Sequence, residues 1–182
     1  MASRKLRLLT LSGMLAAVGF VLQLFEFPLL PAAPFLKFDF GDVAVVVAGA
    51  SMGPGAALLT AVTKGILWGL IGHGADGWVG ALMNTVAVVT FALPVAFACR
   101  SAMLRTRVLA ALLGIAAMTA AMIGMNLIVD PLYFKLPMTA IKAMLPVILL
   151  FNLIRGTINA AASVGVLLLL KRTPAFRPYL ST

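Results

Sequence analysis

The sequence predicts an all-α membrane protein with six transmembrane helices and both termini on the cytoplasmic side. Three observations carry that prediction. Of 182 residues, 63% are hydrophobic and only 10% are charged, with a mean hydropathy of +1.11. A soluble domain has about a quarter of its residues charged, and no soluble core of this size hides so much apolar surface. The apolar residues come in long runs, and a bilayer span needs roughly 20 of them, which sets a ceiling near six spans joined by short connections. Finally, the basic residues sit in clusters at the ends of those runs, as a topology signal does. The whole chain, 1–182, is expected to be one integral membrane domain.

The elements follow in order. The first run is Leu6–Phe25, preceded by Arg4 and Lys5 and flanked by Arg7; no small-residue cleavage site follows it, so it reads as an uncleaved span. A Pro-rich stretch with Pro28, Pro31 and Pro34 leads through Lys37-Phe-Asp-Phe-Gly-Asp42. Val43–Met52 is apolar but too short to cross unless it extends back into Phe40 and Gly41. Gly53-Pro54-Gly55 is a turn signal. Ala56–Ile71 carries Lys64 in its middle. A Gly-rich connection containing His73 leads to Trp78–Ala98, and a basic connection, Arg100–Arg107, to Val108–Val129. Asp130–Lys142, with Pro131 and Pro137, is expected to be a longer polar connection. The last span is Ala143–Leu170, ending in Lys171-Arg172.

With the N-terminus inside, nine of the fourteen basic residues lie on the cytoplasmic side: Arg4, Lys5, Arg7, Arg100, Arg105, Arg107, Lys171, Arg172 and Arg177. The five acids, Glu26, Asp39, Asp42, Asp76 and Asp130, fall on the opposite side or at its border. That asymmetry, and the even number of spans, predicts N-in, C-in. The same clustering weighs against nucleic acid as the partner of this net charge of +9.

Chemistry in this chain has few carriers. A single cysteine, Cys99, excludes an internal disulfide and any multi-cysteine metal site. With His73 as the one histidine, a His-pair metal site is excluded as well. There is no Gly-Lys-Ser/Thr phosphate loop, so energy for active transport would have to come from a partner or an ion gradient. What stands out is polarity within the apolar runs, which is expensive in a bilayer and marks function: Lys64, Asn84, Asn126, Asn152 and Arg155. Asn152, Arg155 and Asn159 share one helix face by their spacings of three and four. Asparagines also serve as interhelical glue and cations snorkel, but all five lie toward the outer half of their spans, as one outward-opening pocket requires. Such groups read the amide-like edge of an uncharged heterocycle. Trp68 and Trp78 suit ring stacking or an interfacial belt equally.

Asp39 and Asp42 read as one partner for Lys37 and one helix N-cap. His73 reads as solvated. Gly13 and Ala17, with Ser12 and Ala16 one register away, form a small-residue pattern that lets another helix approach closely, whether inside the chain or from a partner.

The runs Ser12–Leu22, Phe27-Pro28, Phe38–Val43 and Met52–Gly55, the helix with Lys64, then Asn84, Asn126 leading to Pro131-Leu-Tyr133, and Phe151-Asn-Leu-Ile-Arg-Gly156 together resemble the riboflavin-specific S component of energy-coupling factor (ECF) transporters. The resemblance covers about residues 8–172. It implies a non-enzymatic, six-helix membrane subunit that captures riboflavin from outside, with no resident cofactor. It also implies docking on a transmembrane coupling protein carried by two cytoplasmic ATPases. Lys64, Asn84, Asn126, Asn152 and Arg155 match the flavin-contacting positions. The first-helix face, Ser12, Gly13, Ala16 and Ala17, would meet the coupling protein. Pro31, Pro34, Asp39 and Asp42 would belong to a gating loop over the pocket. Three positions depart from the family's usual residues: Arg155 stands for Lys, Gly65 for Asn, and Ala44 for Pro. A flavin nucleotide or another vitamin is a second reading, with Lys37, Lys135 and Lys142 available to a phosphate. An intramembrane enzyme lacks a carboxylate dyad or His pair at membrane depth, and an assembly subunit without ligand leaves the buried cations unexplained.

Overall fold

The computed structural model describes residues 2–31, 33–71, 77–98 and 103–173. The expectations for His73, Asp76, Cys99, Arg100 and Arg177 lie outside them, as do the side chains of residues 2–4 and 171. Six α-helices form in these segments: α1 (Ala2–Gln23), α2 (Gly41–Met52), α3 (Pro54–Ile71), α4 (Gly77–Ala98), α5 (Leu104–Tyr133) and α6 (Met138–Arg172). All but α2 are long and apolar enough to cross a membrane.

At 12 residues, α2 spans only about 18 Å at 1.5 Å per residue, short of a hydrocarbon core of about 30 Å. The helix does extend back from Val43 to Gly41, with Phe40 as its N-cap, and is still short of a full crossing. The compensation is burial. Gly41 through Gly49 are all buried, and α2 touches α1, α3, α4 and α6. Four of the five longer helices pack on it. The α1–α2 crossing is close because both sides contribute glycine. A Cβ on Gly41 would run into the carbonyl oxygen of Gly19, and one on Gly19 would sit 3.0 Å from the Gly41 carbonyl oxygen. The turn from α2 to α3 is a single residue, Gly53, at φ 98°, a conformation glycine adopts without penalty.

Below this crossing the core is built from small and β-branched side chains: Val45 and Val46 of α2, Ala57 and Ala61 of α3, Ala87, Val88, Phe91 and Ala92 of α4, and Ile115 and Met118 of α5. In lipid, helices associate through van der Waals packing rather than through a hydrophobic drive, and small residues bring the backbones together. This core fixes α2, α3, α4 and α5 against one another, with Ala160 of α6 packed on its edge, and so positions the polar groups they carry.

Two features differ from the sequence expectation. The connection expected over Asp130–Lys142 is mostly helical: α5 runs on to Tyr133 and α6 begins at Met138, leaving only 134–137 between them. Pro131 sits inside α5; a proline in a membrane helix is tolerated where neighbours and local geometry satisfy the freed backbone groups. The Pro-rich first connection carries a two-residue antiparallel ladder, β1 (Phe27–Pro28) with β2 (Lys37–Phe38), pairing Phe27 with Phe38 and Pro28 with Lys37. Edge-to-face rings of Phe27, Phe38 and Phe40 close it, at centroid separations of 5.6 and 4.9 Å.

Candidate functional site

The residues that build the site begin with Asp42. It stands in the first turn of α2, where the helix dipole favours a negative charge, and it is fully buried. Two cations from other helices close on it. Lys64 of α3 donates from Nζ to Oδ1 at 2.9 Å. Arg155 of α6 donates to Oδ2 from Nη2 at 2.7 Å and from Nε at 3.2 Å. Asn159, one turn further along α6, donates its amide to the same oxygen at 3.2 Å. Arg155 Nη2 also donates to the Asn84 carbonyl oxygen of α4. One carboxylate thus ties α2, α3 and α6 together directly, and α4 through Arg155.

Asp42 is therefore not a residue of the gating loop, as the sequence suggested, but the counterion at the heart of the bundle. Removing two cations from water is costly unless anion and hydrogen bonds are both present, and the first turn of α2 supplies the anion where the cations converge. The expected pairing of an aspartate with Lys37 also does not form: Lys37 bonds Glu26 across the hairpin, at 2.5 Å. Asp39 is buried too, and its Oδ1 accepts the Gly41 N–H at 2.7 Å, at the entry to α2. Burial pushes the Asp39 carboxyl above its ordinary value, with the nearby Lys64 charge opposing that shift and Asp42 adding to it. Pro31 and Pro34 are exposed on the connection between the two strands.

The five polar residues singled out in the sequence divide into two groups. Lys64 and Arg155 meet on Asp42, and Asn84 joins them through Arg155. Asn126 of α5 and Asn152 of α6 instead donate to carbonyls of their own helices, Met122 at 2.7 Å and Ile148 at 2.8 Å. The Asn152 Oδ1 is buried without a partner. Asn152 lies one turn before Arg155 on the same face of α6.

Two of the departures from the family pattern have a local cause. A guanidinium has several donors in a plane, and Arg155 uses them to hold Asp42 and Asn84 at once, which a single ammonium does less readily. At position 65, the space a side chain would occupy is taken by Thr85 Oγ1, which is itself bonded to the Ala81 carbonyl at 2.7 Å. Nothing in the structure explains Ala44.

On α1 the small-residue face is split. Ser12 and Ala16 are fully buried, and the Ser12 carbonyl accepts a bond from Thr60 of α3 at 3.4 Å. Gly13 and Ala17 are exposed, and a Cβ on Gly13 would meet nothing within 4 Å. Ser12 and Ala16 are thus packing residues of this chain rather than part of a docking surface, because a helix with a 3.6-residue period cannot turn adjacent registers to one partner when α2 and α3 already take one of them.

Comparison with known proteins completes the picture. A family model for the substrate-specific component of ECF transporters matches residues 7–167. The chain belongs to that family. Two relatives match it over most of their length. A Bacillus subtilis (strain 168) protein named riboflavin transporter FmnP is 34% identical over 164 residues, 85% of this chain and 86% of that one. A Streptococcus thermophilus protein named riboflavin transporter RibU is 32% identical over 166 residues, 86% of this chain and 79% of that one. Among solved structures, the S component of a bacterial ECF transporter superposes with a TM-score of 0.76 at 25% identity, covering 92% of this chain and 95% of the other. As a substrate-specific ECF component, the chain is a multi-pass protein of the bacterial cell membrane and a transporter subunit rather than an enzyme. Asn159 enters the site through its bond to Asp42; its place on the Asn152–Arg155 face was the signal in the sequence. Asp42 was hidden by its neighbourhood of loop residues.

Proposed function

We propose that this chain captures riboflavin from outside the cell and passes it inward when docked on the coupling module of an ECF importer. The observation that carries this reading is the similarity, over more than four-fifths of the chain, to proteins named riboflavin transporters. The chemistry agrees. Riboflavin is uncharged and rich in carbonyl and ring-nitrogen acceptors, with hydroxyls on its tail. Among the described residues, the amides of Asn126 and Asn152 bond only to their own helices, so they can turn to a ligand at little cost, and the open Asn152 carbonyl accepts a donor. Lys64, Asn84 and Arg155 complete the polar wall. Riboflavin is cargo here, and the chain is one binding unit without a resident cofactor.

In this reading both termini are cytoplasmic, and α2 together with the buried Phe38 and Asp39 that lead into it makes the sixth passage, sheltered from lipid by the longer helices. The hairpin with Pro31 and Pro34 covers the outer end, with Asp39 at its base. Gly13 and Ala17 of α1 meet the transmembrane coupling protein, which rests on two cytoplasmic ATPases. A phosphate-bearing flavin is favoured less, because Lys37, one of the three lysines available to a phosphate, is already paired with Glu26.

Purification from cells supplied with riboflavin tests the substrate: the protein should carry a yellow, flavin-type absorbance that a colourless preparation would refute. Replacing Gly13 with Leu tests the docking: uptake in the assembled transporter should fall while flavin binding by the isolated subunit stays unchanged. Uptake undiminished in Gly13→Leu would remove α1 from the interface.

A further inference from the structure

Beside the charged cluster, two buried polar atoms of α6 have no partner among the described residues. Asn159 and Ser163 stand four residues apart and are 1% and 2% exposed. Asn159 Nδ2 donates to Asp42 Oδ2, but its Oδ1 bonds nothing, and neither does Ser163 Oγ. Both residues belong to a stretch long and apolar enough to cross a membrane, Met138–Leu170, where an unsatisfied polar group is costly. Residues at this spacing are neighbours on a helix surface, about 5–6 Å apart at Cβ, so one small molecule can reach both.

The serine behaves unlike the hydroxyls of neighbouring helices. Thr85, Thr119 and Thr157 each donate to the carbonyl four residues back, at 2.7 Å, the usual resort of a hydroxyl inside a helix. Ser163 has the Asn159 carbonyl at the same spacing and does not use it, so its O–H is available. Nor can Asn159 satisfy itself by turning over. Exchanging its amide nitrogen and oxygen would set Oδ1 against the Asp42 carboxylate.

The missing group must therefore donate to Asn159 Oδ1 and can accept from Ser163 Oγ. An anion is unsuited, because Oδ1 only accepts. A metal cation is unsuited too, because the carboxylate that Asn159 touches is already shared by Lys64 and Arg155. A small neutral O–H molecule meets both needs, and buried water makes two to four such bonds.

We propose that Asn159 and Ser163 hold one buried water molecule, which donates to Asn159 Oδ1 and accepts from the Ser163 hydroxyl. The water fixes the Asn159 amide with its nitrogen toward Asp42, and it carries the polar cluster one further turn along α6. It belongs to the fold whatever molecule is transported.

A crystal structure of the flavin-free protein, at a resolution that shows ordered solvent, is the test. One peak should lie about 2.7–3.0 Å from both Asn159 Oδ1 and Ser163 Oγ. Ser163→Ala removes one of the two partners without adding bulk. It should lose the peak and lower the thermal midpoint by about 2–4 °C. Thr157→Ala, at an exposed position on the same helix, should leave the peak in place. Absence of a peak shared by the two atoms in the wild type would overturn the proposal, as would a peak that persists in Ser163→Ala. A peak surrounded by six or more oxygens at about 2.3–2.6 Å, the shell of a calcium ion, would overturn it as well.

Discussion

The Asp42 cluster and the Asn126–Asn152 pair lie in the same bundle but satisfy their polarity in opposite ways. In the cluster, side chains from different helices meet one another: two cations, an amide and a second amide close on one carboxylate or its partner, all buried. In the pair, each amide turns back on its own helix one turn away, and the Asn152 carbonyl is left over. The first arrangement holds helices together and, apart from the Asn159 carbonyl, which like that of Asn152 is buried without a partner, has little to offer a ligand without breaking an ion pair. The second holds nothing together. Its bonds are local, and exchanging one for a bond to a ligand leaves the fold intact. Buried polarity in a membrane protein is thus of two kinds, and the range of each bond separates them.

The sharpest way to break that distinction is to remove the charge at its centre. Asp42→Asn takes from two buried cations the carboxylate they both bond, which should cost on the order of 3–5 kcal/mol and lower the thermal midpoint in detergent strongly. Adding Lys64→Met to it should restore part of the loss by rebalancing charge. A variant as stable as wild type would mean that the cluster is not structural. The helix crossing beneath it is the next test: Gly19→Leu forces α1 off the Gly41 carbonyl and should destabilise by about 1–3 kcal/mol, read by the same unfolding measurement. Unaltered stability would show that the crossing relaxes freely. At the surface the effect should nearly vanish. Lys37 and Glu26 are both partly exposed, and Lys37→Ala should change stability by no more than about 0.2–1 kcal/mol. A larger loss would make the hairpin pair part of the closed cluster's architecture.

Much of this was legible in the sequence, for a physical reason. A lysine, an arginine and several asparagines inside apolar runs stand out because lipid makes them expensive, and the family pattern ordered them. The bundle of apolar helices was legible on the same grounds. Other features were hidden because they depend on what packs where. Asp42 lies three residues from Asp39 in a Pro- and Phe-rich stretch, so a local role looked sufficient; only the folded bundle brings Lys64 and Arg155 to it. The burial of α2 compensates for its short length, and a run of ten apolar residues does not disclose that. Ser12 and Ala16 share the small-residue character of Gly13 and Ala17, and composition does not tell which register is covered. Pro131 reads as a breaker by the habits of soluble helices, whereas a membrane helix carries it.

The central claim is that Asn126 and Asn152 are free to serve a flavin because the fold does not need them. The most direct measurement is a riboflavin fluorescence titration of purified wild type, Asn126→Ala and Asn152→Ala, with the thermal midpoint of each recorded alongside. Each variant should lose about 1–3 kcal/mol of binding, one to two decades in Kd, while unfolding close to the wild-type temperature. Wild-type affinity in both variants, or no riboflavin binding by the wild type, would contradict the account.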